Sequence, residues 1–238
     1  MLQKKKIKNI KIYADGADID FIKNNSINFD GFTTNPTLMK KSGVNDYKKF
    51  AIDFLSLVKN KPVSFEVFAD DLDEIRKQAR IISAWHPNVY VKIPVTNTKN
   101  ENTYELVSEL LNENIKCNVT AIFTLDQIKI YKNIQNKSQC ILSIFAGRIA
   151  DTGRDPVPIM SEIVTYFKNN KNIKILWASP REVLNIFQAI ESKCHIITIG
   201  KDIISKLITL DKDLNKFSLE TVKMFYEDAA SVNYKINN

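Results

Sequence analysis

The chain has 238 residues, of which 26% are charged and 44% are hydrophobic, and its formal net charge is +7. This length suits one α/β barrel, and no apolar run approaches the ~20 residues that a membrane-spanning helix requires. The two histidines belong to no metal-binding motif, and the six glycines form neither a GxGxxG nor a Walker loop. The sequence therefore argues against a membrane protein, a metal enzyme and the nucleotide-binding classes that use glycine-rich loops.

The positive charge comes mainly from lysines scattered among asparagines, and only residues 4–6 form a run. Solvated lysines explain such a pattern, so we expect no nucleic-acid partner. Residues 1–12 are basic but lack the apolar core and cleavage site of a secretory signal. Three widely spaced cysteines without such a signal predict reduced thiols and a cytoplasmic protein; they are Cys117, Cys140 and Cys194.

Eight short apolar runs predict β-strands, and a segment with helical spacing follows each of them. The predicted strands are 11–14, 31–33, 63–67, 89–93, 117–122, 140–145, 173–178 and 195–199. The predicted helices are 19–25, 47–59, 72–85, 104–111, 125–134, 157–167, 183–190 and 203–207.

Eight strand–helix units in a chain of this length predict a (β/α)8 TIM barrel, over about residues 10–208. A doubly wound open sheet is the alternative, but its usual glycine-rich first turn is missing. A further helical pattern over residues 211–238 predicts a C-terminal extension, which lies across the barrel or docks on a neighbouring subunit. We expect residues 1–238 to form one domain.

The fourth predicted strand contains one lysine, in Val91-Lys92-Ile93-Pro94. Parallel strands are covered on both faces and normally consist of unbroken apolar residues, so a lysine there is unusual. Burial disfavours the charged form of an amine, and a neutral amine can attack a carbonyl to form a Schiff base. The alternative is structural: Lys92 extends its amine to solvent at the strand end, or pairs with a carboxylate.

Further polar residues lie at or near the C-terminal ends of the predicted strands, within the fifth and sixth strands, or just past a strand, and TIM barrels carry their active sites at these ends. They are Asp15, Thr33, Asn35, Glu66, Asn118, Thr120, Ser143, Arg148, Ser179 and Arg181. Each could be a satisfied polar group of the barrel, but their joint placement around one lysine predicts a catalytic site. The cysteines begin or precede their strands, at the opposite end, which indicates structural roles.

At these residues the chain resembles the transaldolase family of class I aldolases, especially its short, barrel-only members, over residues 11–204. The matching motifs are Tyr13-Ala14-Asp15, Thr33-Thr34-Asn35-Pro36-Thr37-Leu38, Val63-Ser64-Phe65-Glu66-Val67, Val91-Lys92-Ile93-Pro94, Cys117-Asn118-Val119-Thr120 and Ser143-Ile144-Phe145-Ala146-Gly147-Arg148. The chain departs from the family in four places. Gly16 replaces a usual threonine or serine, residues 97–100 lack a glycine-containing turn, Pro180 separates Ser179 from Arg181, and the C-terminal segment differs from the commonest ending.

The resemblance implies a reaction and a role for each residue. Lys92 would form a Schiff base with the C2 ketone of a ketose phosphate, and Asp15 would take the C4 hydroxyl proton during C3–C4 cleavage. Glu66 and Thr120 would position a water that shuttles protons. Hydroxyls of the three-carbon fragment would meet Asn35, Asn118 and Ser143, and the phosphate would meet Arg148, Ser179 and Arg181. Neither a metal nor an organic cofactor is implied.

The resemblance leaves alternatives to dihydroxyacetone transfer. A direct aldolase of the same barrel, such as fructose-6-phosphate aldolase, carries glutamine and tyrosine at the positions of Glu66 and Phe145, so these residues favour transfer here. The departures also fit an enzyme for an unusual phosphosugar, whereas the retained Lys92, Asp15 and Glu66 argue against a silent binding barrel. By analogy with short transaldolases we expect sugar-phosphate substrates, no membrane partner and a homo-oligomer.

Overall fold

The computed structural model describes residues 7–134, 138–232 and 236. The basic run 4–6 lies outside this part of the chain, as do residues 135–137, 233–235, 237 and 238.

Eight parallel strands close into a barrel in chain order. They are Lys11–Asp15 (β1), Gly31–Thr33 (β2), Val63–Glu66 (β3), Val89–Pro94 (β4), Cys117–Ile122 (β5), Cys140–Ile144 (β6), Ile173–Trp177 (β7) and Ile196–Ile199 (β8). The ring closes where β1 pairs with β8, with Lys11 opposite Ile196. The predicted TIM barrel is confirmed, and each strand lies within one or two residues of its predicted position.

Ten α-helices occur in the described ranges and surround or follow the barrel. They are Ile19–Asn25 (α1), Pro36–Lys41 (α2), Tyr47–Val58 (α3), Leu72–Ser83 (α4), Tyr104–Asn112 (α5), Ala146–Ala150 (α6), Pro156–Phe167 (α7), Leu184–Glu191 (α8), Lys201–Lys206 (α9) and Leu214–Ser231 (α10). Several begin at an aspartate whose carboxylate accepts a backbone N–H of the first turn, as Asp71 does for α4 and Asp155 for α7. The short helices α2 and α6 were not predicted.

The packing of α3 shows which strand residues face outward. The ring of Phe54 on α3 lies 5.5 Å from Phe32 of β2 and 6.1 Å from Phe65 of β3, measured between centroids. Because successive strand residues point to opposite faces, Thr33 and Glu66 point into the barrel. The main apolar core therefore lies between the sheet and the helices, and polar side chains share the interior.

A second, smaller apolar cluster fills the middle of the barrel interior. It consists of Tyr13, Tyr90, Ile141, Leu176, Ala178 and Ile196, with Phe145 packed against it. Tyr13 lies two residues before Asp15, and Tyr90 two residues before Lys92, so each pair shares the inward face. This cluster, called the inner plug below, separates the two ends of the barrel.

The predicted helix over 125–134 is wrong. The chain there forms a 3-10 helix, Lys129–Asn133, preceded by turns. Ile128, Tyr131 and Ile134 are all buried, and each later amide donates to the residue three positions before it. This spacing of three fits the 3-10 geometry, whose side chains at i and i+3 align, better than the 3.6-residue period of an α-helix.

The predicted C-terminal helix is confirmed as α10, although none of its residues is buried. Its large apolar side chains are all at least 42% exposed: Leu214, Phe217, Leu219, Val222, Met224, Phe225 and Tyr226. Neither α10 nor any other helix within the described ranges has the length and apolar character needed to cross a membrane.

Candidate active site

Lys92 lies inside the barrel near the C-terminal end of β4, and only 7% of its surface is exposed. Its Nζ lies 3.0 Å from Glu66 Oε2 and donates a hydrogen bond of 3.1 Å to the carbonyl of Thr34. The β3–β4 register pairs Glu66 with Lys92 and brings both side chains to one height in the interior. The lysine thus has a carboxylate partner inside the barrel.

Asp15 ends β1 beside this pair. It accepts a 2.7 Å hydrogen bond from the hydroxyl of Thr33, which lies 2.6 Å from the hydroxyl of Thr198 on β8. Burial raises the pKa of Asp15, by more than the charge of Lys92 and the Thr33 hydrogen bond lower it. A carboxyl group with a raised pKa close to a buried lysine is suited to acid–base chemistry.

A chain of polar side chains crosses the interior. Asn118 Nδ2 donates to Ser64 Oγ at 2.9 Å, and the hydroxyl of Ser143 donates to Asn118 Oδ1 at 2.6 Å. Ser64 is on β3 and Asn118 on β5, two strands that are not neighbours, so their bond spans the interior. Ser64 was not predicted, although its position two residues before Glu66 is a signal that it faces inward.

Thr120 is buried at the end of β5, and its hydroxyl has no hydrogen-bond partner among the described residues. The register between β5 and β6 shifts between Val119 and Ile122, and Ala121 has a φ of +60°. Such a bulge bends the strand and redirects side chains near its end. A buried hydroxyl without a partner is suited to bind a water molecule or a substrate group.

Tyr47, the first residue of α3, supports the end of β3 from outside. Its hydroxyl donates a 2.9 Å hydrogen bond to the carbonyl of Glu66, and its ring packs on Phe65 and Trp85. Burial raises the pKa of Tyr47, and the charge of Glu66 adds to this shift, so the hydroxyl stays protonated and donates. Sequence reasoning missed Tyr47 because an aromatic residue opening a helix carries no functional signal.

Aromatic and basic side chains form the rim above β5 and β6. The ring centroid of Phe145 lies 5.8 Å from that of Phe123, and the guanidinium carbon of Arg148 lies 5.4 Å from the Phe145 centroid. Arg148 is exposed. Its charge therefore rests over an aromatic face at the mouth of the barrel.

Arg181 follows β7 and forms a two-pronged ion pair with Asp151, in which Nε lies 3.1 Å from Oδ1. Its guanidinium is therefore already paired with a carboxylate, which the sequence did not indicate. Ser179 has a φ of +59°, and a Cβ on Gly147 would lie 1.6 Å from the Ser179 carbonyl oxygen. Only glycine lets the short helix α6, which follows β6, approach the loop after β7 so closely.

Asn35 caps α2, because its Oδ1 accepts the amide of Leu38 at 2.9 Å. The structure thus brings seven of the predicted residues together inside the barrel and leaves the other five at its rim and in the loops. The seven are Asp15, Thr33, Glu66, Lys92, Asn118, Thr120 and Ser143; the five are Asn35, Phe145, Arg148, Ser179 and Arg181. In the described ranges no group of three or more His, Cys, Asp or Glu side chains could hold a metal ion.

The sequence model of one enzyme family, transaldolase/fructose-6-phosphate aldolase, matches residues 12–238. The chain belongs to this family. A probable transaldolase of Herpetosiphon aurantiacus is 31% identical over 229 residues, which cover 94% of this chain and 99% of the relative. A probable transaldolase of Dehalococcoides mccartyi is 32% identical over 202 residues, which cover 84% of this chain and 90% of the relative. The family resemblance found in the motifs is thereby confirmed.

Among solved structures, the α subunit of tryptophan synthase from Campylobacter jejuni superposes with a TM-score of 0.54. The match covers 90% of this chain and 96% of the other, at 13% sequence identity. At this identity the likeness concerns the barrel fold alone.

Proposed function

We propose that the protein is a transaldolase, which transfers a dihydroxyacetone unit between sugar phosphates through a Schiff base on Lys92. The observation that carries this proposal is the position of Lys92 Nζ, 3.0 Å from Glu66 Oε2 in the barrel of a transaldolase-family chain. An amine can act as a nucleophile only after losing its proton, and in this proposal Glu66 accepts that proton.

In the first step, Nζ attacks the C2 ketone of the donor ketose phosphate, and the adduct loses water to give an iminium. The departing hydroxyl needs a proton, which a water held between Glu66 and Thr120 would deliver. The unpartnered hydroxyl of Thr120 and the carboxylate of Glu66 offer complementary hydrogen-bonding groups for this water. The reaction needs neither metal nor organic cofactor, because the iminium itself withdraws electrons.

Cleavage of the C3–C4 bond follows. Asp15 takes the proton of the C4 hydroxyl, the C3–C4 electrons move to the iminium nitrogen, and an aldose phosphate leaves. The enamine then adds to the aldehyde carbon of an acceptor, Asp15 returns its proton to the new hydroxyl, and hydrolysis frees Lys92. The raised pKa of Asp15 matches this double role of base and acid.

The remaining residues would hold the substrate. Asn118 and Ser143 present an ordered amide and hydroxyl to the three-carbon fragment, and Asn35 keeps its Nδ2 group to donate. Arg148 and Arg181, with Ser179, would bind the phosphate at the rim, where Arg181 would exchange Asp151 for the substrate.

A direct aldolase that releases free dihydroxyacetone is the second candidate, since the family description names both activities. The Phe145 and Phe123 rings favour transfer, because they offer no proton to the enamine and exclude water. An enzyme for an unusual phosphosugar would use the same Schiff-base chemistry and would differ from a transaldolase in the rim residues that contact the substrate.

Borohydride reduction in the presence of fructose 6-phosphate tests the proposal. The peptide that contains Lys92 should gain the mass of the reduced three- or six-carbon adduct, as measured by mass spectrometry. Lys92→Arg should show no adduct, because a guanidinium stays protonated and cannot act as the nucleophile. An adduct on another lysine, or none in the unmodified protein, would contradict the assignment.

We also propose that the protein is a homo-oligomer and that α10 docks on a second copy of the chain. The support is the exposed apolar surface of α10, which includes Phe217 and Phe225. Phe225→Asp should lower the molecular mass measured by sedimentation velocity, whereas Lys223→Asp on the same helix should not. An unmodified protein that sediments as a monomer would contradict this proposal.

We place the protein in the cytoplasm. All three cysteines are free and buried, and burial raises the pKa values of Cys140 and Cys194 to about 12. Unpaired thiols of this kind are typical of a reducing compartment.

A further inference from the structure

A cavity of about 740 Å³ opens at the N-terminal end of the barrel, on the other side of the inner plug from Lys92. Its mouth is lined by residues that begin or precede the strands, among them Lys11 of β1, Lys116 before β5 and Lys193 before β8. Small-molecule sites in proteins typically measure ~300–1,000 Å³, so the cavity has the size of a ligand pocket.

Strand alternation aims lysines into this cavity. Lys11 lies two residues before Tyr13, and Lys174 lies two residues before Leu176. Tyr13 and Leu176 both belong to the inner plug. Lys116 is likewise two residues before Asn118, whose side chain crosses the interior. Inward-facing positions recur every second residue. These three lysines therefore point into the N-terminal end of the barrel, at the starts of β1, β5 and β7.

The cavity wall is cationic and contains no aspartate or glutamate among its described residues. Lys116 and Lys174 are only half exposed, and none of the ion pairs in the described part of the chain uses a cavity lysine. Lys116 donates to the carbonyl of Pro87 instead, at 2.9 Å. Half-buried cations without carboxylates mark a place where an anion would be favourably bound.

A histidine next to these lysines adds a hydrogen-bond donor to the cavity wall. His195 accepts the amide of Ile175 through Nδ1, so its ring proton is on Nε2. Burial, and then the charge of Lys174, lower the pKa of His195, which therefore adds a donor without a full charge. The carboxylate of Asp30 accepts the amide of Ile12 and is not part of the cavity wall.

The inner end of the cavity is apolar and aromatic. Tyr13, Tyr90, Ile141 and Ile196 belong both to the inner plug and to the cavity wall. Gly31 makes room for the Tyr13 ring, since a Cβ there would lie 2.5 Å from the ring Cζ. A ligand that fills the cavity therefore meets lysines at the mouth and ring faces at the floor.

We propose that this cavity is a second binding site, which takes a small organic phosphate. Its phosphate lies among Lys11, Lys116, Lys174 and Lys193, and its carbon body lies against the rings of Tyr13 and Tyr90. Phosphate supplies several acceptor oxygens for ammonium donors, and the aromatic floor selects against a bare inorganic ion.

Calorimetric titration with phenyl phosphate tests this site, because the probe has no carbonyl for Lys92. The full chain with Arg148→Gln and Arg181→Gln removes the proposed phosphate contacts of the catalytic end. In that background we expect one phenyl phosphate per chain. Adding Lys116→Gln and Lys174→Gln should weaken binding by about tenfold for each lysine. Inorganic phosphate should bind at least about tenfold more weakly than phenyl phosphate, because it leaves the apolar floor uncovered.

The matched control in the same background is Lys48→Gln with Lys223→Gln, two exposed lysines outside the cavity. This pair lowers the net charge equally, and it should change the affinity by less than about twofold. No binding of phenyl phosphate, an equal loss in the control pair, or equal affinity for inorganic phosphate would each overturn the proposal.

A second measurement needs no substitution at the cavity. Phenyl phosphate should slow acetylation of Lys116 and Lys174 several-fold in the unmodified chain, as followed by peptide mass spectrometry, and leave Lys48 unaffected. Unchanged acetylation of the two cavity lysines at saturating phenyl phosphate would overturn the proposal independently.

Discussion

Lysines at the two ends of the barrel have different neighbours. At the C-terminal end, Lys92 is buried beside Glu66, and Asp15 lies close by. At the N-terminal end, Lys116 and Lys174 line a cavity whose described wall contains no carboxylate. A carboxylate thus balances the charge of Lys92, whereas no carboxylate of the described wall balances the charge of the cavity lysines. The lysines at the two ends therefore differ in their carboxylate neighbours as well as in their burial.

Replacing one lysine at each end would test this contrast most strongly. Lys92→Met should abolish turnover and adduct formation, and it should cost about 3 kcal/mol of unfolding free energy, because the partly buried carboxylate of Glu66 loses its partner. Lys116→Met should cost less than about 1 kcal/mol, since it leaves no carboxylate unpaired. Urea unfolding at pH 7 measures both values, and equal costs would contradict the contrast.

Asp15→Asn should separate activity from stability at the catalytic end. Loss of the acid–base group should slow cleavage by about 10²–10⁴-fold while the Schiff base on Lys92 still forms. Burial raises the pKa of Asp15 above its usual 3.8, so the native state binds this proton more tightly than the unfolded chain does. Ionisation of Asp15 therefore costs stability as the pH rises above 3.8.

The asparagine variant avoids this cost and should be the more stable protein at pH 7. Its advantage should shrink as the pH is lowered toward 3.8, below which both states of the unmodified protein are protonated at this position. Urea unfolding across this pH range measures the difference. A variant that is less stable than the unmodified protein at pH 7 would contradict the assignment.

The two ends should also recognise phosphate independently. Arg148→Gln or Arg181→Gln should lower kcat/KM for phosphorylated donors by about ten- to a hundredfold, the value of one charge-assisted hydrogen bond. Unphosphorylated analogues should be affected little, and the affinity of the N-terminal cavity for phenyl phosphate should not change. Equal losses on both donor types would remove the arginines from phosphate recognition.

Gly147 contacts the Ser179 carbonyl, and Gly16, which has open space around it, is its matched control. Gly147→Ala places a Cβ 1.6 Å from the Ser179 carbonyl oxygen and should cost about 1–3 kcal/mol, because α6 and the loop after β7 must separate. A Cβ on Gly16 would meet nothing within 4 Å, so Gly16→Ala should stay within about 0.5 kcal/mol of the unmodified chain. Thermal or urea unfolding gives both values, and similar costs would show that the contact can relax.

The smallest effect concerns the balance between transfer and release. Phe145→Tyr brings a hydroxyl donor to the top of the inner plug, and it should raise release of free dihydroxyacetone several-fold relative to transfer. Adding Glu66→Gln should raise it further. The assay follows both products from fructose 6-phosphate, with and without erythrose 4-phosphate. If the unmodified protein already releases as fast as it transfers, the direct aldolase is the better assignment.

Most of the fold could be predicted because parallel strands of a barrel are uniformly apolar and regularly spaced. The segment 125–134 was predicted as an α-helix, since a spacing of three over a short stretch resembles one of 3.6. That Asp15, Glu66 and Lys92 lie together could also be predicted, because the C-terminal ends of all barrel strands meet at one site.

Other contacts could not be predicted in this way. The bond from Lys92 to the Thr34 carbonyl involves a backbone atom, and the Arg181–Asp151 pair joins two loops whose course the sequence does not fix. The N-terminal lysines did have a signal, since Lys11 and Lys174 each lie two positions before an inward-facing residue, Tyr13 or Leu176. This signal can be interpreted only when the strand register shows which face of each strand points into the barrel.

The close approach of Gly147 to Ser179 has an evolutionary consequence. Arg148 follows this glycine directly, and Arg181 lies two residues beyond the serine, so a main-chain contact fixes the distance between the two arms that carry these arginines. Substitutions can exchange the charges at the tips of the arms one at a time. Under the proposed function, a bulkier substrate would need a wider span and therefore a prior change at the glycine, whereas the charges could change without it.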